Sequence, residues 1–495
     1  MKAKYSLFLL PLLVLLAPAC ADFLNIRTEA TMPSAGMDYS KPENVFLPVS
    51  AAYASMRLQE GEAQNYVAVL EVASDDADKG SSPDDSPSVK EFDEFTYGPQ
   101  NEHIGYIWSY FYNIVSAANY AVESMDKFQE AITSDEGLLQ VKECRAEARL
   151  IRAYAYFNLV RLFGAVPLID KTMDAGELAA MQVSTPEELY QFIYKDLDAG
   201  IELLPESYSD LPGRYTKYTA MALKAKVALY NKDWNEAARQ ADAIMASGRF
   251  SLMPKFRDAF SVEHENGAES LMEIQSSDMG QTTGAMPICY YAFIQGPRNN
   301  NNPKFQGWGF KVPSQKLVDF FDSRGDVIRK SVTIMERGTV TADKDTLSAG
   351  CANPYYNGKV YVPTRYCTRS FNAYGLDHNM RLIRYAEILL IYAEAMANDA
   401  AITPASGYTA DSALNEVRAR AGLPAITATL KNIYDERRAE LALEENRFFD
   451  LVRWGKAAEV LGPLGFQEGK NEVFPIPSTQ RQLNPNLPES TGYTY

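Results

Sequence analysis

Two stretches of this 495-residue chain mix flat aromatic side chains with planar polar ones. The first runs Asp75-Asp76-Ala77-Asp78-Lys79-Gly80 and continues through Phe92, Phe95, Tyr97 and Asn101. The second holds Tyr290-Tyr291, Arg298, Asn299 to Asn302, and Gly307-Trp308-Gly309. An aromatic face covers the apolar side of a sugar ring, while amide, carboxylate and guanidinium groups bond adjacent hydroxyls. Trp308, in a loop between two glycines, does not fit a helix core. The residues expected to meet a ligand are Asp76, Asp78, Tyr97, Asn101, Tyr290, Tyr291, Asn300 and Trp308. The competing expectation is that loop aromatics fold inward and pack against the body.

Two other chemistries fit less well. Asp75, Asp76 and Asp78 are weak candidates for calcium, because an EF-hand loop needs ligands at alternate positions and a Glu at the twelfth, which this loop does not supply. A solvated acidic turn is the simpler reading. Glu440, Glu444 and Asp450 offer carboxylates, and a glycosidase needs two of them across a cleft. They are interleaved with Arg437, Arg447 and Arg453, and Arg437 stands three residues before Glu440, so an ion-pair network that positions helices is expected instead. Glu387 and Glu394, two turns apart, are expected to bond between helices. His103, His264 and His378 form no ligand pair, and P-loop, GxSxG and GxGxxG motifs are absent. No cofactor and no catalysis are expected.

The chain begins Met1-Lys2-Ala3-Lys4, continues with an apolar run from Leu7 to Ala17, and reaches Pro18-Ala19-Cys20. This is a secretory leader too short to span a bilayer, so residues 1–19 are expected to be removed. Cysteine directly after the cut points to lipidation at Cys20 and membrane tethering of the mature chain. Leu16 stands one position early for the usual lipobox, where Ala17 lies, and the alternative is an ordinary signal with a chance cysteine. The formal charge of −16 opposes nucleic acid and anionic lipid, so adsorption by charge is not expected. Cys351 and Cys367 can close a loop by disulfide, although spacing alone does not establish one.

The mature chain is expected to form one domain, residues 20–495, with helical scaffold at about 42–59, 101–250 and 381–460. A loop is expected from Ser74 to Gln100. Residues 107–128 and 138–162 are helical by spacing, the latter closed by Gly164 and Pro167. Thr185-Pro186-Glu187-Glu188 is a capping box. Tyr218 to Tyr230, the turn Asn231-Lys232-Asp233, and Trp234, Ala237, Ala238, Ala241 and Ile244 make a helix pair with small facing residues, closed by Gly248. That is the tetratricopeptide design, here without a fixed period. Residues 252–379 are loop-rich, with a strand near Glu269 to Ser276 and a short helix at Gln315 to Phe321. Later helices are expected after Arg381, at 414–421, 433–443 and 448–460, and one started by Thr479.

In order along the chain come Cys20-Ala21-Asp22-Phe23-Leu24, Trp108 with Tyr112, Ile114 and Asn119, and Arg152-Ala153-Tyr154-Ala155-Tyr156-Phe157. Then follow Phe163-Gly164-Ala165-Val166-Pro167-Leu168, Ala220 to Tyr230 with Trp234, Ile383-Arg384-Tyr385-Ala386-Glu387 and Tyr392-Ala393-Glu394-Ala395. Last are Glu436-Arg437-Arg438-Ala439-Glu440-Leu441, Asp450-Leu451-Val452-Arg453-Trp454, Pro475-Ile476-Pro477 and Asn484-Pro485. This series resembles the SusD/RagB family of outer-membrane nutrient-binding lipoproteins. The resemblance implies a mostly α SusD-like fold, with tetratricopeptide-like helix pairs as scaffold and a loop-rich ligand-binding face. It implies a surface-exposed protein of a Gram-negative outer membrane that binds glycan, or alternatively peptide, and hands it to a SusC-like TonB-dependent transporter. A surface glycoside hydrolase or lyase is the other alternative. The family's C-terminal Gly-Tyr stands here as Gly492-Tyr493 in an altered context.

Overall fold

Helical periodicity becomes helices that pack in the order they occur. The structure is a computed structural model that describes residues 36–57, 65–209, 211–276, 291–367 and 378–495. Helix α1 (Leu47–Ser55) lies against α2 (Glu102–Ala131), which packs on α3 (Asp135–Phe163). Then α3 packs on α4 (Pro186–Leu203), α4 on α5 (Lys217–Tyr230), and α5 on α6 (Trp234–Ala246). The starts follow local rules. Thr185 and Glu188 form the expected capping box, and Asp233 accepts from the Glu236 amide at the start of α6. Close approach follows from small residues: a Cβ on Gly200 of α4 would stand 2.9 Å from the Ala220 Cβ of α5. Arg152 ties three helices together, with both oxygens of Asp196 at 2.7 and 2.9 Å and the Asn119 carbonyl at 2.8 Å.

The next partner of α6 is far ahead in sequence. It is α7 (Tyr385–Ala397), which also packs on α8 (Ala410–Arg420) and α9 (Leu430–Leu441). Residues 247–384 therefore leave the scaffold between two touching helices and return. An antiparallel pair closes the base of this excursion: Ser270–Ile274 and Met380–Arg384, with Ser270 opposite Arg384 and Ile274 opposite Met380. A second pair, Ala77–Gly80 (β1) with Phe310–Pro313, joins the excursion to the N-terminal part. We label Ser270–Ile274 β2, Phe310–Pro313 β3, Ile334–Glu336 β4, Tyr355–Asn357 β5 and Met380–Arg384 β6; β4 and β5 pair antiparallel within the excursion. The fold is mostly α, with helix pairs as scaffold.

Buried charge on α9 binds these parts. Glu436 meets Arg324 at 2.6 Å, Arg329 at 2.7 Å and Arg418 at 2.7 Å. One turn later Glu440 meets Arg384 at 3.1 Å, Arg329 at 3.3 Å and Arg420. Arg437 faces Asp450 at 3.1 Å and Glu387 at 3.5 Å. Glu387 also holds Lys226 of α5, and Glu394 holds Arg453 and the Trp454 indole, as expected of groups that bond between helices. The expected ion-pair network is present and lies almost wholly inside the protein.

Several elements differ from expectation. Residues 42–59 form a short 3-10 turn, Pro42–Asn44, and α1; residues 58–64 lie outside the described set. The expected loop of residues 74–100 contains β1 and the helix Pro87–Asp93, because its strand partner lies more than two hundred residues away. Residues 448–460 are two helices, Arg447–Arg453 (α10) and Ala457–Leu461, broken where Gly455 takes φ +66°. The last helix, Ser478–Leu483, starts after Pro477 without a side-chain cap, so Thr479 does not start it. Cys351 and Cys367 are not bonded to each other: the first thiol faces the Asn300 carbonyl at 3.8 Å and the second the Pro363 carbonyl at 3.7 Å. Cys20 and the leader lie outside the described residues, among which no helix is long and apolar enough to cross a membrane.

The Glu440 carboxylate sets a measurable acid limit. Burial pushes it up, but Arg420, Arg384, Arg329 and Lys359 pull harder and hold it down to about 2. A carboxylate depressed in the folded state contributes stability that is present above its unfolded value, near 4.5, and lost as pH falls toward 2. Replacing it by Gln leaves arginines buried and uncompensated, which costs about 3–5 kcal/mol. Denaturant titration of Glu440→Gln at pH 7 is expected to show that loss, and its gap from wild type is expected to shrink between pH 4.5 and 2.

Candidate functional site

Glycine backbones build the site. A Cβ on Gly307 would sit 2.1 Å from the Phe293 carbonyl oxygen and 2.6 Å from the Gly296 Cα, so only bare backbone fits. The Trp308 amide donates to the same Phe293 oxygen at 3.2 Å, and the Gly307 amide to Pro297 at 3.0 Å. Gly309 then takes φ +71°. Pinned on both sides, Trp308 sets its ring edge-on to Phe293, 5.5 Å between centroids, and remains half-buried.

Two more segments meet this loop. The end of β1 touches Gly309, whose carbonyl accepts from the Ser81 amide at 2.5 Å. Ser81 donates its hydroxyl to Asp85 at 2.8 Å, and Arg298 bridges Ser81 at 3.2 Å and Asp85 at 2.6 Å. The Ser81 hydroxyl, more than any other neighbour, holds the Asp85 carboxyl below the usual carboxylate range. From the third segment, the Asn353 amide reaches the Ser81 and Gly309 carbonyls at 3.4 and 3.5 Å. Arg298 and Asp85 keep 29% and 35% of their side-chain surface exposed, so this charged pair is open on one side. Together Trp308, Arg298, Asp85 and Asn353 offer one aromatic face beside planar donors and acceptors.

Of the residues expected from sequence, Trp308 and Asp78 keep open surface. Asp78 is exposed on β1, opposite Val312. Asp76 is wholly buried, at 2.6 Å from Arg438, and Asp75 lies at 2.7 Å from Arg447. Two arginines thus take the charge that a cation or a hydroxyl would need, and among the described residues no cluster of three or more His, Cys, Asp or Glu can hold a metal ion. Tyr97 is buried in an aromatic cluster, stacked on Phe92 at 4.8 Å and facing Tyr493, so the C-terminal Gly-Tyr serves as a packing partner. Asn101 is the N-cap of α2, and its amide donates to Ser88 and Glu91. Asn300 is buried with its donors on the Phe305 and Thr346 carbonyls and its acceptor on the Ser348 amide. Tyr291 is buried and stacked on His378. Tyr290 lies outside the described residues. Asp85, Ser81 and Asn353 escaped sequence reading, although the polar run from Ser81 to Ser86 marked the loop; Arg298 and Ser81 are 217 residues apart.

Comparison with known proteins finds relatives along nearly the whole chain. The model described as the SusD family matches residues 268–464, and that described as "Starch-binding associating with outer membrane" matches residues 40–229. SusD-like protein P2 of Formosa agariphila is 29% identical over 99% of this chain and 100% of its own length. A SusD-like protein of Bacteroides ovatus is 26% identical over 91% of this chain and 82% of its own. Among solved structures, a laminarin-binding SusD-like protein matches with a TM-score of 0.78 and 28% identity, covering 91% of this chain and 99% of that one. Surface glycan-binding protein A from Bacteroides fluxus also gives 0.78, with 25% identity over 92% and 100%.

The glycine contacts predict opposite outcomes for one substitution type. Gly307→Ala drives a methyl into backbone and is expected to destabilise by about 1–3 kcal/mol. Gly105→Ala, in α2 with open space around it, is expected to stabilise by about 0.5–1 kcal/mol. Chemical denaturation of the two variants beside wild type measures both.

Proposed function

This chain belongs to the SusD/RagB family, and from that premise we propose that it captures an extracellular glycan at the Trp308 face and delivers it to a SusC-like TonB-dependent transporter. Lipidation at Cys20 tethers it to the outer membrane, on the cell surface. The observation that carries the reading is Trp308, fixed between glycines beside the partly exposed Arg298–Asp85 pair. The Trp308 ring covers the apolar side of one sugar residue. Arg298, Asp85 and Asn353 bond its hydroxyls, with Asp78 at the margin. Each group is already oriented by protein contacts, so little ordering accompanies capture.

The ligand class is supported by the relatives. The laminarin-binding protein covers nearly the whole chain at 28% identity, which makes laminarin the first glycan to test. Binding without chemistry is supported by the fate of the carboxylates on α9 and beside it. Glu440 and Asp450 are ion-paired and buried, and Glu444, with 9% of its side chain exposed, is held by Arg384 and Lys359, so each carboxylate is already committed to a cation rather than poised to protonate a glycosidic oxygen or to attack.

Calorimetry of the mature protein with laminarin is expected to give saturable binding and no released oligosaccharide. Trp308→Ala is expected to weaken binding at least tenfold while lowering the melting temperature by only a few degrees, because the ring is half-buried. Trp308→Phe, which keeps an aromatic face, is expected to recover part of the affinity. Undiminished binding by Trp308→Ala would move the site elsewhere, and released sugar would replace capture by hydrolysis.

A further inference from the structure

Behind the Trp308 loop lies a buried junction that glycan capture itself does not use. Lys311 of β3, three residues after Trp308, has a fully buried side chain. Its ammonium donates to the Leu443 carbonyl at 2.9 Å and pairs with Glu445. Glu71, from the helix Tyr66–Val72, is also wholly buried, and one of its oxygens accepts from the Leu443 amide at 3.2 Å. Both polar groups of the Leu443 backbone are thus held by side chains from two remote segments. Lys311, Leu443 and Glu445 all adopt left-handed backbone, with φ of +52°, +65° and +56°. Side chains resist that region, and it persists only where the surroundings over-determine it.

The charges here do not balance with every carboxyl ionised. Glu71 faces Lys311 of β3, Glu445 of the turn between α9 and α10, and Asp76 beyond its own helix. Glu445 faces Lys311, Glu444 and Lys226 of α5, and that lysine already serves Glu387. Asp76 is taken by Arg438, and Glu444 by Arg384 and Lys359. One ammonium therefore stands between two carboxyls. Glu445 has the ion pair, while Oε2 of Glu71 has no hydrogen-bond partner among the described residues. A buried carboxylate without a cation of its own takes up a proton.

We propose that this junction positions β3, the strand that follows the Trp308 loop, and that a proton on Glu71 is its latch. The positioning role rests on the glycan-binding reading above. With the proton in place, Lys311 serves Glu445 alone and holds β3 against the turn after α9. Loss of the proton sets Glu71 and Glu445 against each other around a single lysine, with the Asp76 charge adding to the repulsion on Glu71, which loosens the hold on β3 and on the Gly309–Ser81 contact that follows Trp308. Burial, opposed by Lys311 and reinforced by Glu445 and Asp76, pushes Glu71 up to about 8, so release falls just above neutral pH. The sign is the reverse of that for Glu440. A carboxyl that keeps its proton when folded and ionises near 4.5 when unfolded contributes stability in acid that is lost as pH rises to about 8.

Glu71→Gln is a neutral mimic of the protonated acid and separates the outcomes. Wild-type affinity for laminarin is expected to hold level from pH 6 to 7 and to fall at least tenfold by pH 9.5, with a level profile throughout in Glu71→Gln. Without ligand, the melting temperature of Glu71→Gln relative to wild type is expected to rise from pH 5 to 8 and then stay constant. A melting difference independent of pH overturns the latch. Equal alkaline loss in the two proteins, or wild-type affinity level to pH 9.5, overturns the positioning role. If laminarin is bound at no pH, it is the glycan reading that fails, and the melting series alone decides whether Glu71 holds the proton.

Discussion

Glu436 and Glu440, one turn apart on α9, are surrounded by arginines from three separate places: Arg324 and Arg329 inside the excursion, Arg384 at the end of β6, and Arg418 and Arg420 at the end of α8. Carboxylates one turn apart share a helix face, so both point the same way into the protein. Taking such charges out of water is costly, and their mutual attraction returns that cost only when geometry and hydrogen bonding are nearly complete. The arrangement is therefore selective more than it is strong. A displaced segment leaves a guanidinium stranded in low dielectric, so wrong dockings of the excursion carry a heavy penalty. The main apolar core also takes in residues of the excursion, among them Met272, Phe293, Phe310 and Val360, but apolar contacts tolerate shifts and substitutions more readily than a buried ion pair does.

The same helix reaches the proposed binding face through its other flank. Arg438 points to Asp75 and Asp76, which end the turn leading into β1, and Arg447 at the start of α10 closes on the same pair. The β1 strand then supplies Ser81 to the Gly309 carbonyl and, after a turn held by the Lys79 ammonium, Asp85 to Arg298. From the α9 arginines to the Arg298–Asp85 pair the path is continuous and polar, and most of it is buried. The loop backbone pins Trp308 locally, and this path from the scaffold places that loop.

How much of this was legible in the sequence depends on the range of the interaction. Helices whose signals are local came out with their ends nearly right: the Thr185–Glu188 box, the turn at Asn231-Lys232-Asp233, and the stop before Gly248. The ion-pair character of the α9 carboxylates was also legible, because acids and bases interleaved at helical spacing leave few other outcomes. What failed was non-local. The β1 strand, Ala-Asp-Lys-Gly, has no strand pattern of its own and exists because β3 pairs with it. Asp76, Tyr97, Asn101 and Asn300 have the right chemistry for sugars, yet each faces the interior, where Arg438, Phe92, Ser88 and the Phe305 carbonyl occupy them. Residue type told what these groups can bond, and only the fold tells what they do bond.

That distinction explains how the proposed capture and the structure can share one chemistry here. Asn300 and Asn353 are the same side chain in neighbouring loops. Asn300 has its two donors and its carbonyl in use, buried, and its loss would collapse the turn it braces. Among the described residues the Asn353 side-chain amide makes long bonds to two carbonyls, and the residue keeps part of its surface open, so a hydroxyl can compete for it at small cost. The aspartates divide likewise: Asp76 faces two arginines inside, and Asp85 faces one at the surface. A group serves a ligand when its present partners are few, exposed and exchangeable, and it serves the fold when they are not. By that criterion the proposed Trp308 face would change its ligand through substitutions at Arg298, Asp85 or Asn353 without touching the carboxylates of α9, so on this reading specificity and stability are carried by separate residues.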